Sequence, residues 1–187
     1  MEPKAWIGCL GCYNAGALVG AWVDGIEADE YEPHDALLIE GMSPWSQRPA
    51  CGNVKSEERW VFDFEDFGGL LSGECSPSEA TRIAEVIDRI EAESYPVEAV
   101  AAWRDYVGKD YADLDNLDDF AEAYRGEWQS EENYAETLAE DIGAVNAEAT
   151  WPNNCIDWER AARDLFMDGY YSAEAPGGLI YVFDANA

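Results

Sequence analysis

The stretch from Asp110 to Asp141 places the tightest constraint on this chain. It carries twelve carboxylates (Asp110, Asp113, Asp115, Asp118, Asp119, Glu122, Glu127, Glu131, Glu132, Glu136, Glu140 and Asp141), with only Lys109 and Arg125 to oppose them nearby. Ionised carboxylates stay in water unless they are paired, because burying an unpaired charge costs far more than packing returns. Whatever fold the chain adopts must therefore keep this segment at its surface. Apolar residues recur between the acids at helical intervals. Asp115 is expected to cap a short helix carrying Leu117, Phe120 and Tyr124 inward and stopped near Gly126. Ser130 is expected to cap a second, with Tyr134, Leu138 and Ile142 inward and a stop at Gly143. On the far side of that second helix Glu132, Glu136 and Glu140 recur at i, i+4 and i+8. Like charges at that spacing destabilise an isolated helix by about 0.2–0.5 kcal/mol per pair. A face that served only to be solvated would mix its signs. This one does not.

The rest of the chain is acidic as well. Of 187 residues, 40 are acidic and 11 basic, a formal charge of −29. Hydrophobic residues make up 48% and aromatics 13%, with 8 Trp, far more apolar material than a disordered acidic tail contains. The chain folds, and does so against its own repulsion. Its field opposes binding to nucleic acid or to an anionic membrane, both of which select basic patches. It attracts basic surfaces instead, and DNA-binding grooves are the largest of these. Duplex DNA carries one negative charge per ~1.7 Å of axis, so this net charge corresponds to roughly 15 base pairs, and that of a dimer to roughly 30. The N-terminal MEPKAWIGCLGCYNAG has no signal-peptide pattern, and no apolar run reaches the ~20 residues of a spanning helix. A cytoplasmic protein with reduced thiols is expected.

The expected fold class is α+β. Trp6 to Cys12 and Leu18 to Val23 are apolar runs around Tyr13-Asn14-Ala15-Gly16, the pattern of a hairpin with an Asn/Gly loop. Asp35 to Met42 and Arg59 to Phe64 are ambiguous, and Ser43 to Gly52, with two prolines, reads as loop. At Ser76-Pro77-Ser78-Glu79 the period changes to helical, with capping-box spacing ahead of the stripe Ala80, Ile83, Ala84, Ile87, Ile90. Pro96 opens another helix with Val100, Trp103 and Val107 on one face, ended by Gly108. Asp157 opens the last, striped by Trp158, Ala161, Ala162, Leu165 and Phe166, before a Pro176-Gly177-Gly178 turn and a strand from Leu179 to Phe183. An internal position in a sheet is the simpler reading of that strand, pairing across a two-fold axis the other. These elements suggest three parts: a β-hairpin-rich N-terminal domain (1–75), a helical middle (76–112) and a mixed, acidic C-terminal domain (113–187).

Chemistry finds little support. Cys9-Leu10-Gly11-Cys12 has the spacing of a redox or zinc half-site, but Cys51, Cys75, Cys155 and His34 show no second paired spacing, so no metal site and no cofactor are expected. No Ser or Cys is tied by spacing to His34, the only histidine, as a nucleophile would be. Asp113-x-Asp115 begins like a calcium loop but has Leu117 where the next ligand falls and Asp118 where a glycine is required. No catalytic residue is expected, and the protein is read as a non-enzyme. Two rival accounts of the charge stand: an acidic module for another basic DNA-binding protein, or adaptation to high salt, which the scarcity of lysine would also fit.

Two stretches resemble a known family. Trp6 to Asp24, with its Leu…Tyr-Asn-x-Gly-x-Leu-x-Gly-x-Trp pattern, is similar to the opening of the ArdA antirestriction proteins. Ile156 to Leu165 resembles that family's closing helix, and the segment from Phe120 to Trp128 falls where the family carries its antirestriction motif. The likeness is weak from about Glu27 to Ser72. The resemblance implies an elongated, three-domain protein, a homodimer joined through its C-terminal domain into a curved rod. Such a rod imitates bent B-form DNA and blocks type I restriction–modification enzymes on behalf of mobile elements. The twelve carboxylates would then be the phosphate-mimicking contacts.

Overall fold

The computed structural model describes residues 1–38, 48–110, 114, 117–146 and 148–187. Among these, helices and antiparallel sheets are both present, an α+β fold, and the chain divides into two compact units, Met1–Val97 and Glu98–Ala187.

The first unit is built on β1 (Lys4–Cys9), which pairs antiparallel with β2 (Gly20–Asp24) on one side and β3 (Arg59–Glu65) on the other. Ala5, Ile7 and Cys9 alternate into the core, as period-two side chains of a half-covered sheet must. The hairpin differs from expectation in its connection. Strand β1 ends at Cys9, and the next five residues coil into α1 (Leu10–Asn14), whose N-cap is Cys9 itself. Gly16, at φ +85°, then turns the chain into β2. Gly8 and Gly20 face each other across the pair, and a Cβ on Gly20 would lie 2.1 Å from the Ile7 carbonyl oxygen. The glycine two residues before Trp22 is thus required by backbone proximity.

α2 (Pro77–Ala92) starts as its sequence predicts, with the Ser76 hydroxyl accepting the Glu79 amide at 3.2 Å and Pro77 in the first turn. All five residues of its apolar stripe are buried. The helix lies against the 3-10 turn Gly25–Glu27, so closely that a Cβ on Gly25 would come within 2.9 Å of the Ala84 Cβ. Thr81 fixes the approach by donating to the Gly25 carbonyl at 3.1 Å and accepting the Asp29 amide at 3.0 Å.

The second unit centres on β6 (Leu179–Asp184), flanked by β4 (Tyr124–Trp128) and β5 (Tyr170–Ala175), both antiparallel to it. With a neighbour on each side β6 has no free edge, so it is the internal strand rather than one that pairs across a two-fold axis. Register places Tyr124, Tyr171, Tyr181 and Phe183 on one face, where Phe183 meets Phe120 of α4 (Asp118–Ala123) and Phe120 meets Trp103 of α3 (Val97–Val107). The other face is covered by α5 (Glu131–Asp141) and α6 (Trp158–Asp168), through Trp128, Tyr134, Phe166 and Tyr170. Most of these aromatic pairs sit edge to face, which the ring quadrupole favours.

Three details of the sequence reading are corrected here. The helix expected to run to Gly126 gives way to strand at Tyr124: Gly126 takes φ +97° where the β4 register shifts, and pairing with β6 overrides the helical pattern. Val107, expected inward, is 43% exposed at the end of α3, just before Gly108. Ile142, also expected inward, is 69% exposed at the C-cap of α5. The expected Asp115 cap lies outside the described residues, as do 39–47 of the ambiguous and loop segments.

Candidate functional site

The acidic segment runs through three consecutive elements, α4, β4 and α5. Asp118, Asp119 and Glu122 are exposed on α4, Glu127 on β4, and Glu136, Glu140 and Asp141 on α5; Asp110, ahead of them, is exposed as well. Glu131 and Glu132 are half-buried at the start of α5. Asp113 and Asp115 lie outside the described residues.

The local structure accounts for part of this charge. Asp118 and Asp119 occupy the first turn of α4, which has no side-chain cap, and there they complement the positive end of the helix dipole. Glu131 and Glu132 do the same for α5, behind the Ser130 hydroxyl, which accepts the Asn133 amide at 3.2 Å. Hydrogen bonds from Ser130 and from its own backbone hold the Glu132 carboxyl below the usual range. Glu131 accepts from the Ser172 hydroxyl at 2.7 Å, tying the helix start to β5.

The remaining charge has no such explanation. Of the two cations that the sequence sets against the segment, Lys109 pairs with Asp119 and lies over the Trp103 ring at 4.9 Å. Arg125 turns away from the acids, pairing with Asp184 at 2.9 Å and donating to the Glu122 carbonyl. Among the described residues, Glu136, Glu140 and Asp141 have no ion-pair partner, and the last turn of α5 contains no basic residue although its dipole favours one. α6 shows the contrast: Glu159 is matched at i+4 by Arg163, 2.9 Å away. Four residues of helix advance about 6 Å, so Glu132, Glu136 and Glu140 form a row of carboxylates at that interval.

The acidic surface extends beyond this segment. Glu85, Asp88 and Glu91 follow at i, i+3 and i+6 on the exposed side of α2. Their spacing, complementary to the buried Ile83/Ile87/Ile90 stripe, was the available signal, although Arg82 and Arg89 on the same helix dilute it.

The second ligand pair that Cys9 and Cys12 lacked in sequence is supplied by the fold: His34 and Cys51 join them, with all four potential ligand atoms within 4.8 Å of one another. Neither residue has a paired spacing, so nothing in the linear pattern marks the group.

A family model described as "Antirestriction protein (ArdA)" matches residues 5–178 of the chain, and no curated protein matches it.

Proposed function

The chain belongs to the ArdA antirestriction protein family, and from that premise we propose that it acts as a DNA mimic, competitively occupying the DNA-binding groove of a type I restriction–modification enzyme. The family is one of inhibitors, and the reading needs no catalytic residue. It is supported above all by the outer row of α5, where carboxylates recur about every 6 Å with no cation paired to them among the described residues. Guanidinium and ammonium groups that grip phosphate accept carboxylate in much the same geometry. A helix bearing acids at that interval therefore offers a basic groove what a stretch of DNA backbone offers. Phosphate contacts carry no sequence information, so the mimic acts on enzymes of differing specificity.

Affinity is distributed over many carboxylates and comes largely from release of counterions held by both surfaces. The contacts proposed are the described acids between Asp110 and Asp141, joined by Asp113 and Asp115. The acting form is a homodimer, which doubles the length of acidic surface. Among the described residues no helix is long and apolar enough to cross a membrane, and the site of action is the cytoplasm, where restriction enzymes meet incoming DNA.

The test is a competition titration. A type I modification enzyme core on labelled duplex is challenged with the protein at several salt concentrations. Displacement that weakens steeply with salt is expected. Absence of displacement at low salt, by folded protein, would sink the proposal. A salt-adapted acidic protein would instead unfold at low salt, which circular dichroism on the same samples detects.

A further inference from the structure

Three thiols and an imidazole converge at the start of the first unit. Cys9 closes β1 and caps α1, and Cys12 lies one turn into that helix. His34 comes from the 3-10 turn Pro33–Leu37, and Cys51 from the stretch before β3. The Cys12 and Cys51 sulfurs are 3.4 Å apart and those of Cys9 and Cys51 4.0 Å. His34 Nε2 stands 3.5 Å from the Cys12 sulfur and 3.6 Å from that of Cys51.

These four edges, 3.4–4.0 Å in a set whose atoms all lie within 4.8 Å of one another, are close to those of a tetrahedral metal site. With zinc–sulfur bonds near 2.3 Å and zinc–nitrogen bonds near 2.0–2.1 Å, tetrahedral coordination requires sulfur–sulfur edges of about 3.8 Å and sulfur–nitrogen edges of about 3.6 Å. The surroundings fit as well. His34 is 5% exposed, the one buried side chain of polar or charged type among the described residues. Its Nδ1 lies 3.3 Å from the Val54 carbonyl oxygen, to which it donates as Nδ1–H; that tautomer leaves the Nε2 lone pair facing the thiols. The Cys12 amide donates to the Cys9 sulfur at 3.3 Å, the kind of contact that supports a thiolate. A cleft lined by Cys9, Gly11, Cys51, Asn53, Glu57 and Glu58 gives an ion a route to the sulfurs, past two carboxylates.

We propose that Cys9, Cys12, His34 and Cys51 form a structural zinc site that fastens the β1–α1 corner to the two loop segments carrying His34 and Cys51. Three soft thiolates and an imidazole select zinc over the hard, oxygen-seeking cations that the acidic surface attracts. On binding, the ion displaces the thiol protons to solvent and leaves a site with one net negative charge. Four protein ligands close the coordination sphere, so the role is structural. A disulfide among the same cysteines is the competing use of the cluster, but it would leave the oriented imidazole without a purpose.

The test uses the full chain, purified under reducing conditions without chelator. Elemental analysis is expected to find one zinc per chain, surviving dialysis and released by a thiol-blocking reagent. Cobalt(II) added to the metal-free chain should give the intense visible bands of tetrahedral coordination together with sulfur-to-cobalt charge transfer. Cys75→Ser and Cys155→Ser should retain full stoichiometry. Cys12→Ser/Cys51→Ser should lose it, whereas His34→Cys should keep it as a four-thiolate site and show that the loss does not merely report unfolding. The proposal is overturned if the folded, fully reduced wild-type chain takes up neither zinc nor cobalt. Undiminished uptake by the double variant would overturn it equally, as would a thiol count showing a disulfide among Cys9, Cys12 and Cys51 in the isolated protein.

Discussion

If the outer face of α5 is shaped for a partner, then removing its charge should strengthen the fold while weakening inhibition. The perturbation is Glu136→Gln/Glu140→Gln/Asp141→Asn, three exposed side chains without an ion-pair partner among the described residues. Relieving the i,i+4 repulsion between Glu136 and Glu140 returns about 0.2–0.5 kcal/mol. Glu140 and Asp141 stand at the negative end of the helix dipole, where each carboxylate costs about 0.3–1 kcal/mol at low ionic strength. Solvent and salt screen such exposed charges, so about 1 kcal/mol is the working figure. In a protein of this size that raises Tm by roughly 2–4 °C. Thermal denaturation at low and physiological salt measures it, and the gain should shrink as salt rises. In the competition titration the same variant should displace duplex several-fold less effectively and with a shallower salt dependence. The reasoning is refuted if the variant melts lower than wild type at low salt, or if it inhibits equally well.

Phe120→Ala removes the ring that links Trp103, Tyr124 and Phe183; a loss of about 3–5 kcal/mol is expected in denaturant titration, with inhibition lost through unfolding. Gly20→Ala drives a Cβ against the Ile7 carbonyl oxygen and should cost about 1–3 kcal/mol or more, read as loss of soluble, folded protein or as a lowered midpoint of unfolding. Ser76→Ala leaves the first turn of α2 uncapped and should lower stability by about 1 kcal/mol, with Ser76→Asp restoring it.

The Cys9 and Cys12 thiols of the proposed zinc site are both subject to burial. It pushes Cys12 up to about 11. It acts upward on Cys9 too, but polar neighbours, the Cys12 amide donating to its sulfur among them, prevail and bring that thiol down to about 7. In the metal-free chain, alkylation at neutral pH should therefore mark Cys9 before Cys12, and peptide mapping after brief labelling decides it.

The sequence by itself determined whatever depends on neighbours within a turn or two. The Ser76, Ser130 and Asp157 caps, the α2 stripe and the sign of the charge all follow from side chains acting on adjacent backbone, and all appear as expected. Solvation alone dictated that the described acids between Asp110 and Asp141 keep access to water. Only tertiary structure decided the rest. β4 is a strand because β6 offers it hydrogen bonds from more than fifty residues away, a partner that no local pattern announces. Arg125 faces Asp184 rather than its acidic neighbours for the same reason. The Cys9–Cys12–His34–Cys51 group joins residues with no common spacing, brought together by the course of the chain around β1. Local interactions are written in sequence distance, whereas a metal-binding geometry is written in space, and only the folded chain converts one into the other.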